Sequence, residues 1–277
     1  MTKRVAVIND LSGFGKCSLT AAIPVLSVMG IQPCPMPTAV LSNQSGFSNY
    51  KCVDFTDYMN SFTEMWKVNG ASFNGIFSGY IANIRQIDII SAFIDTFRKS
   101  VTVVFVDPIM ADNGMIYNGF DSAIRERISE LAAKADYITP NLTELCVLTH
   151  NNYSEVVCLE HDAMMNRIKS MALGLAEKNN QIVIVTGVPC GDLIYNCIFD
   201  NGTSCFLPSK RFNGSFSGTG DLFASAVFGG VVKGLTVRQS VEKAAAFLEK
   251  SIEDTVLFGK NDRNQGVEFE KNLGLMI

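Results

Sequence analysis

This chain of 277 residues lacks the spacing of a metal-binding or disulfide framework. Its eight cysteines, Cys17, Cys34, Cys52, Cys146, Cys158, Cys190, Cys197 and Cys205, include no Cys-x-x-Cys pair. The two histidines, His150 and His161, complete no zinc pattern. Without a secretory signal, the thiols are expected to be buried and reduced. Long apolar runs are missing too. None approaches the roughly 20 residues that span a bilayer. The first apolar stretch, Val5 to Ile8, is too short for the core of a signal peptide. Surplus positive charge is also absent. The net charge is −4 with no basic stripe, which argues against a binder of nucleic-acid backbones. A cytoplasmic protein with neither a nucleic-acid nor a membrane partner is the expectation.

What is present is ample material for a core, with 47% hydrophobic residues, so disorder is excluded. Short β-branched runs alternate with helical patterns. Strands are expected at 4–9, 75–81, 101–107, 137–139 and 182–186, and helices at 56–68, 84–100, 122–134, 161–178 and from Asp221 through 253. This βαβα order predicts an α/β fold with a mainly parallel central sheet and helices on both faces. Segments 194–199 and 204–207 flank Asp200-Asn201-Gly202, a hairpin turn that adds antiparallel edge strands. Pro33, Pro35 and Pro37, followed by the polar cluster Ser42 to Gly46, suggest an extended segment at the mouth of the sheet, with a flap as one form of it. Pro24 should kink the helix around it. No linker or repeat is seen, so one domain over 1–277 is expected.

The segment Gly218-Thr219-Gly220-Asp221 opens the apolar run Leu222–Phe228, which reads as a buried helix. Glycines at a helix start bring unpaired N–H groups and the positive dipole end to an anion. An aspartate beside such a pocket fits a group that takes a proton from an attacking hydroxyl. It also fits an ordinary helix-start residue. The helix start should favour its carboxylate.

Ligands of parallel sheets collect beyond the carboxyl ends of the strands. The residues there are Asp10 and Ser12, Gly79 and Tyr80, Asp107, Asn141 and Glu144, then Thr186 and Gly187. The loop Gly13-Phe14-Gly15-Lys16-Cys17-Ser18 fails both the dinucleotide and the P-loop patterns and reads as a tight strand-to-helix turn open to a small ligand. Asn141 or Thr143 can cap a helix with Glu144 in its first turn. Asn141 and Glu144 can equally orient magnesium-bound waters, since magnesium needs few protein ligands.

Five segments in order carry a resemblance: Ser42 to Phe47, Ser78-Gly79-Tyr80, Asp107 to Asp112, Thr139 to Glu144, and Gly218 to Asp221. Together they resemble the ribokinase-like superfamily over residues 4 to 255, and within it the pyridoxal kinase group. The resemblance implies a three-layer α/β/α kinase that moves the γ-phosphoryl group of ATP to a hydroxymethyl group on a pyridine ring. It implies Asp221 as the base and Gly218, Thr219 and Gly220 as the anion hole. Ser45 and Tyr80 would line the substrate pocket with Asp10 and Ser12. Asp112, in a mobile loop from Ala111 to Asn118, would serve the nucleotide with Asn141, Thr186 and Gly187. Asp107 and Glu144 would surround Mg2+ and its waters; a monovalent cation is left open. The group's usual state is a homodimer.

Two departures matter. Asp10 stands where many pyridoxal kinases present serine, and Ala111 replaces a glycine usual in the loop. Hydroxymethylpyrimidine kinases often carry cysteine where Asp221 stands, which favours the vitamin B6 side. The other readings are a hydroxymethylpyrimidine or sugar kinase on the same scaffold, a non-catalytic nucleotide or B6 binder, and an α/β protein without a ligand.

Overall fold

A computed structural model describes residues 2–200, 202–259 and 262–277. The chain runs β1 (Lys3–Ser12), α1 (Ser18–Val28), β2 (Ile31–Leu41), β3 (Cys52–Asp54), α2 (Thr56–Val68), β4 (Gly75–Ser78) and α3 (Ile84–Phe97). It continues with β5 (Val103–Val106), β6 (Ala111–Asp112), β7 (Met115–Ile116), α4 (Ser122–Ala132), β8 (Tyr137–Ile138), α5 (Leu142–Leu148), α6 (Tyr153–Val157) and α7 (His161–Asn179). Then come β9 (Ile182–Cys190), β10 (Leu193–Asp200), β11 (Thr203–Lys210), α8 (Thr219–Lys233) and α9 (Val237–Leu257), with short 3-10 turns at Arg263–Gln265 and Glu270–Met276. The α/β class holds, with mainly parallel strands, helices around them and antiparallel strands at the margins. No described helix is long and apolar enough to cross a membrane.

Residues form two compact units, Met1–Val104 with Phe212–Ile277, and Phe105–Arg211. In the first unit β1 runs parallel to both β2 and β4, and β3 pairs antiparallel with the end of β2. Val5, Ala6, Val7 and Ile8 are fully buried, as a strand covered on both faces requires. Every residue of α8 from Leu222 to Val232 is buried, so the buried helix expected there is found. The Phe77 and Phe228 rings lie 5.4 Å apart where β4 meets α8.

The proline-rich segment is extended, as expected, but it is strand β2 of the sheet and not a flap. Pro33, Pro35 and Pro37 pair with Val5, Val7 and Asn9 of β1. Alternate residues of a strand point their backbone groups to opposite sides. Three prolines of one parity therefore leave the N–H groups of Gln32, Cys34 and Met36 for β1. No described strand borders β2 on the other side before Ala39. A register shift between Asn9 and Leu11 then reverses the parity. Pro24 lies inside α1.

In the second unit Phe105 and Val106 at the end of β5 run parallel to β8, β8 runs parallel to β9, and β9, β10 and β11 form an antiparallel run. Asp200 faces Thr203 across the expected hairpin; Asn201 of its turn lies outside the described residues. The Ala111–Asn118 segment contains a small antiparallel ladder, with Ala111 opposite Ile116. Among the cysteines, Cys17, Cys146 and Cys197 are buried, but Cys52 and Cys158 are exposed and Cys34, Cys190 and Cys205 half-buried. All eight are free thiols, so the burial expected of them is met only in part.

Candidate active site

The expected site residues divide between the two units. In the first, Gly218 precedes α8 with φ of 80°, a conformation that glycine adopts freely. A Cβ on Gly218 would stand 1.9 Å from the Lys16 carbonyl oxygen, so only glycine fits the approach. Gly220, by contrast, faces open space. Thr219 donates its hydroxyl to the Phe216 carbonyl, 3.1 Å away. Asp221 sits in the first turn of α8.

The Asp221 carboxylate is held from β1. Asn9 Nδ2 donates to Asp221 Oδ1 at 3.2 Å, and the Ser18 backbone N–H adds a second hydrogen bond. Burial pushes the Asp221 carboxyl up to about 6, with the Asp10 charge adding to the rise and both hydrogen bonds opposing it. Burial and the Asp10 charge outweigh the two hydrogen bonds, so the carboxyl stands above its ordinary value although it lies at a helix start.

Asp10 and Ser12 are both buried at the end of β1, within the strand and not after it. Ser12 donates to Asp10 Oδ2 at 2.8 Å. Burial raises the Asp10 carboxyl, opposed first by a hydrogen bond from Ser18 and then by that from Ser12. Tyr80 follows β4 half-buried, and its phenol is pushed to about 12, first by burial and then by the Asp10 charge. It is neutral at ordinary pH. Ser45 is exposed, unlike the buried Asp10 and Ser12.

The loop carrying Ser45 is nonetheless fixed. Asn264 donates to the Gly46 carbonyl at 2.9 Å and accepts from Gln44 Nε2 at 3.1 Å. Gln44 Oε1 in turn accepts from the Gly46 N–H at 2.8 Å. The glycine turn after β1 also makes protein contacts. Gly13 N–H donates to the Leu41 carbonyl, and Phe14 accepts from the Gln44 N–H. Its backbone is less open to a ligand than its sequence suggests. Lys16 pairs with Glu268 and Glu270 at 3.0 and 2.9 Å.

The second group is built on α5. Asn141 caps the helix and Glu144 closes a reciprocal capping box. Glu144 is buried and accepts from the N–H groups of Met110, at 3.1 Å, and Asn141, at 3.0 Å. Burial, reinforced by the Asp107 charge, pushes its carboxyl well up. Asp107 is buried and accepts from Thr139 Oγ1 at 3.0 Å. Asn141 Nδ2 donates to the Ala111 carbonyl at 2.7 Å. Asn141 also bridges to Thr186, whose N–H donates to the Pro140 carbonyl at 2.9 Å. Thr186 and Gly187 lie inside β9, which continues past the predicted end; Gly187 N–H donates to Asn196 Oδ1 at 3.3 Å. Asp112, on β6, accepts from Asn113 at 3.0 Å.

Two mutually repelling buried carboxylates suit a hard divalent cation that takes few protein oxygens and keeps its waters. Glu144 Oε1 already accepts from the Met110 and Ala111 N–H groups, whereas Oε2 accepts from Asn141 alone and retains acceptor capacity. Asp107 and Glu144 therefore fit Mg2+ chemically, although among the described residues no three His, Cys, Asp or Glu side chains are placed to hold one metal ion together.

Asn9 was not among the sequence candidates. The signal available was a buried amide ending the apolar run Val5–Ile8, one residue before Asp10. Asn264 and Asn196 offered no comparable signal, because their partners are far away in sequence or across a hairpin.

Comparison with known proteins bears on the family and the fold. The family described as phosphomethylpyrimidine kinase matches residues 19–265. A Bacteroides thetaiotaomicron crystal structure, provisionally assigned as a phosphomethylpyrimidine kinase and in a form with pyridoxal, is 34% identical. It covers 100% of this chain and 96% of its own, with a TM-score of 0.92. The pyridoxal kinase of Lactobacillus plantarum is 25% identical, covers 100% and 97%, and has a TM-score of 0.90. The pyridoxine/pyridoxal/pyridoxamine kinase of Bordetella avium is 24% identical, over 88% of this chain and 82% of that protein.

Proposed function

The chain belongs to the phosphomethylpyrimidine kinase family, and from that premise we propose that it is an ATP-dependent kinase of vitamin B6. Its acceptor would be the 5'-hydroxymethyl group of pyridoxal, pyridoxamine or pyridoxine, and its product would feed salvage of pyridoxal 5'-phosphate. The observation that carries the reading is the Asp221 carboxylate at the start of α8, held by Asn9 and Ser18, with its carboxyl at about 6. Such a group is ionised at neutral pH and still basic enough to receive a proton. Pyridoxal beside a 34% identical relative and the names of the L. plantarum and B. avium proteins support the B6 acceptor.

Transfer would be direct and in line, with Asp221 accepting the hydroxyl proton as the phosphoryl group leaves ATP. The Gly218–Gly220 amides would meet the phosphoryl oxygens at the positive end of α8. Asp10, Ser12, Ser45 and Tyr80 would hold the pyridine. Asp112, Asn141, Thr186 and Gly187 would serve the nucleotide. Mg2+ at Asp107 and Glu144 would offset phosphate charge when bound. A homodimer belongs to the reading, supported by apolar side chains left exposed on β3 and α2: Val53, Tyr58, Met65 and Val68.

The family's own description points to a methylpyrimidine ring, and the second reading takes its hydroxymethyl form as acceptor. The deciding experiment is ADP release from Mg-ATP with pyridoxal, pyridoxamine, pyridoxine, hydroxymethylpyrimidine and ribose. Turnover with the pyridines is expected. Turnover with hydroxymethylpyrimidine alone would transfer the substrate to the second reading, and ATP binding without any turnover would leave a binding protein.

A further inference from the structure

Asn9 is buried in β1, and all its side-chain atoms have work. Its Oδ1 accepts from two backbone N–H groups, Asp10 at 3.0 Å and Tyr80 at 2.8 Å. Those two donors fix which end of the amide is oxygen, so Nδ2 is the end turned to Asp221 Oδ1 at 3.2 Å. Gly79 makes room for it. A Cβ there would stand 2.6 Å from Asn9 Nδ2. One side chain thus joins the backbone of two expected substrate residues to the carboxylate expected to act as base.

We propose that Asn9 is a positioning residue: it aims the Asp221 carboxylate and holds it ionised, in register with the residues that grip the acceptor. The inference rests on the reading of Asp221 as base. The groups of this unit that face Asp221 are Asp10 on β1, whose charge raises it, and Cys17 before α1, whose thiol is pushed to about 12 and is neutral. The Asn9 and Ser18 N–H groups are what oppose burial and Asp10. Replacing the Asn9 donor with an acceptor removes one of these and adds a like charge. Asn9→Asp keeps the size and an oxygen for the Asp10 and Tyr80 N–H groups, but sets a carboxyl against Asp221. The two would titrate as a pair with one proton held to higher pH.

The test is the pH profile of acceptor-dependent turnover of the full chain with Mg-ATP and pyridoxal. Four variants are compared with the parent: Asn9→Asp, Asn9→Ser, Asp221→Asn and the double variant Asp10→Asn/Asn9→Asp. Asn9→Asp should move the acid limb up by at least about one pH unit, a tenfold loss on that limb, and recover toward parental turnover as pH rises. A merely structural defect would not recover. Asn9→Ser, whose shorter hydroxyl draws the donor back from Asp221 without adding charge, should move the limb the same way by less; it decides the matter if Asn9→Asp does not fold. Persistence of the shift when Asp10 is also Asn assigns the limb to Asp221. An unmoved limb in the Asn9 variants, with Asp221→Asn inactive, overturns the role of Asn9 alone. Near-parental turnover in Asp221→Asn overturns the base, and this inference with it.

Discussion

The missing Cβ of Gly218 and the carbonyl of Lys16 compete for one space: a methyl group there would stand 1.9 Å from that oxygen. The backbone also holds φ of 80° at this point. Gly218→Ala should therefore lower stability by about 2–4 kcal/mol, combining left-handed strain with overpacking. Gly220→Ala meets open space and should stay within about 1 kcal/mol of the parent. Urea unfolding of the two variants checks this; equal losses would contradict it.

Asp221→Asn should reduce turnover by about 10²-fold or more, as for other positioned acid–base groups, while ATP binding persists on the remaining amides. In the parent, turnover should fall as pH drops through about 6, where the Asp221 carboxyl takes up a proton. Steady-state kinetics and nucleotide titration separate the two effects.

Asp10 replaces a serine usual in the resembling kinases. Its carboxylate can accept from a protonated ring nitrogen or an amine, so Asp10→Ser should change the ranking of pyridoxal, pyridoxamine and pyridoxine. Ratios of kcat/KM across the three acceptors measure this, and an unchanged ranking would remove Asp10 from vitamer choice.

Asn264 holds the loop of Ser45 by bonds to Gly46 and Gln44. Asn264→Ala should raise the acceptor KM by roughly tenfold, the effect of losing one or two modest hydrogen bonds, and leave the KM for ATP unchanged. Equal changes in both would place the defect outside the acceptor loop.

The Glu144 carboxyl is pushed above its ordinary value of 4.5 by burial and by Asp107. For an acid raised on folding, the unfolded chain loses its proton first as pH rises. Stability is therefore greatest below 4.5 for this group and falls until the folded carboxyl ionises. Asp107→Asn removes the like charge and should flatten that fall. Melting temperatures from pH 5 to 8, compared between parent and variant, give the answer; parallel curves would show that Asp107 is not the cause.

Local signals in the sequence were good wherever one element settled the matter. The α2 pattern marks Thr56–Val68, the bounds observed, and the helix opened by Asp221 was legible from its apolar run. The Asn141 cap with Glu144 was legible too, because both partners lie within four residues. The prolines of β2 misled because proline disfavours strands in general, while its cost vanishes when every ring lies on the side without a neighbour. Asn9 escaped because β1 was taken to end there, whereas it runs on to Ser12. The rise of the Asp221 carboxyl was not legible, because dipole position is visible in sequence and desolvation is not.

The proline ladder of β2 has one more consequence. On the side where Pro33, Pro35 and Pro37 turn outward, the strand offers carbonyls and no amide hydrogen over five residues. A foreign strand arriving there would find half the pairing groups missing. In a chain with 47% hydrophobic residues, that makes this stretch of sheet margin a poor template for aggregation, a safeguard written into the covalent backbone and indifferent to pH or salt.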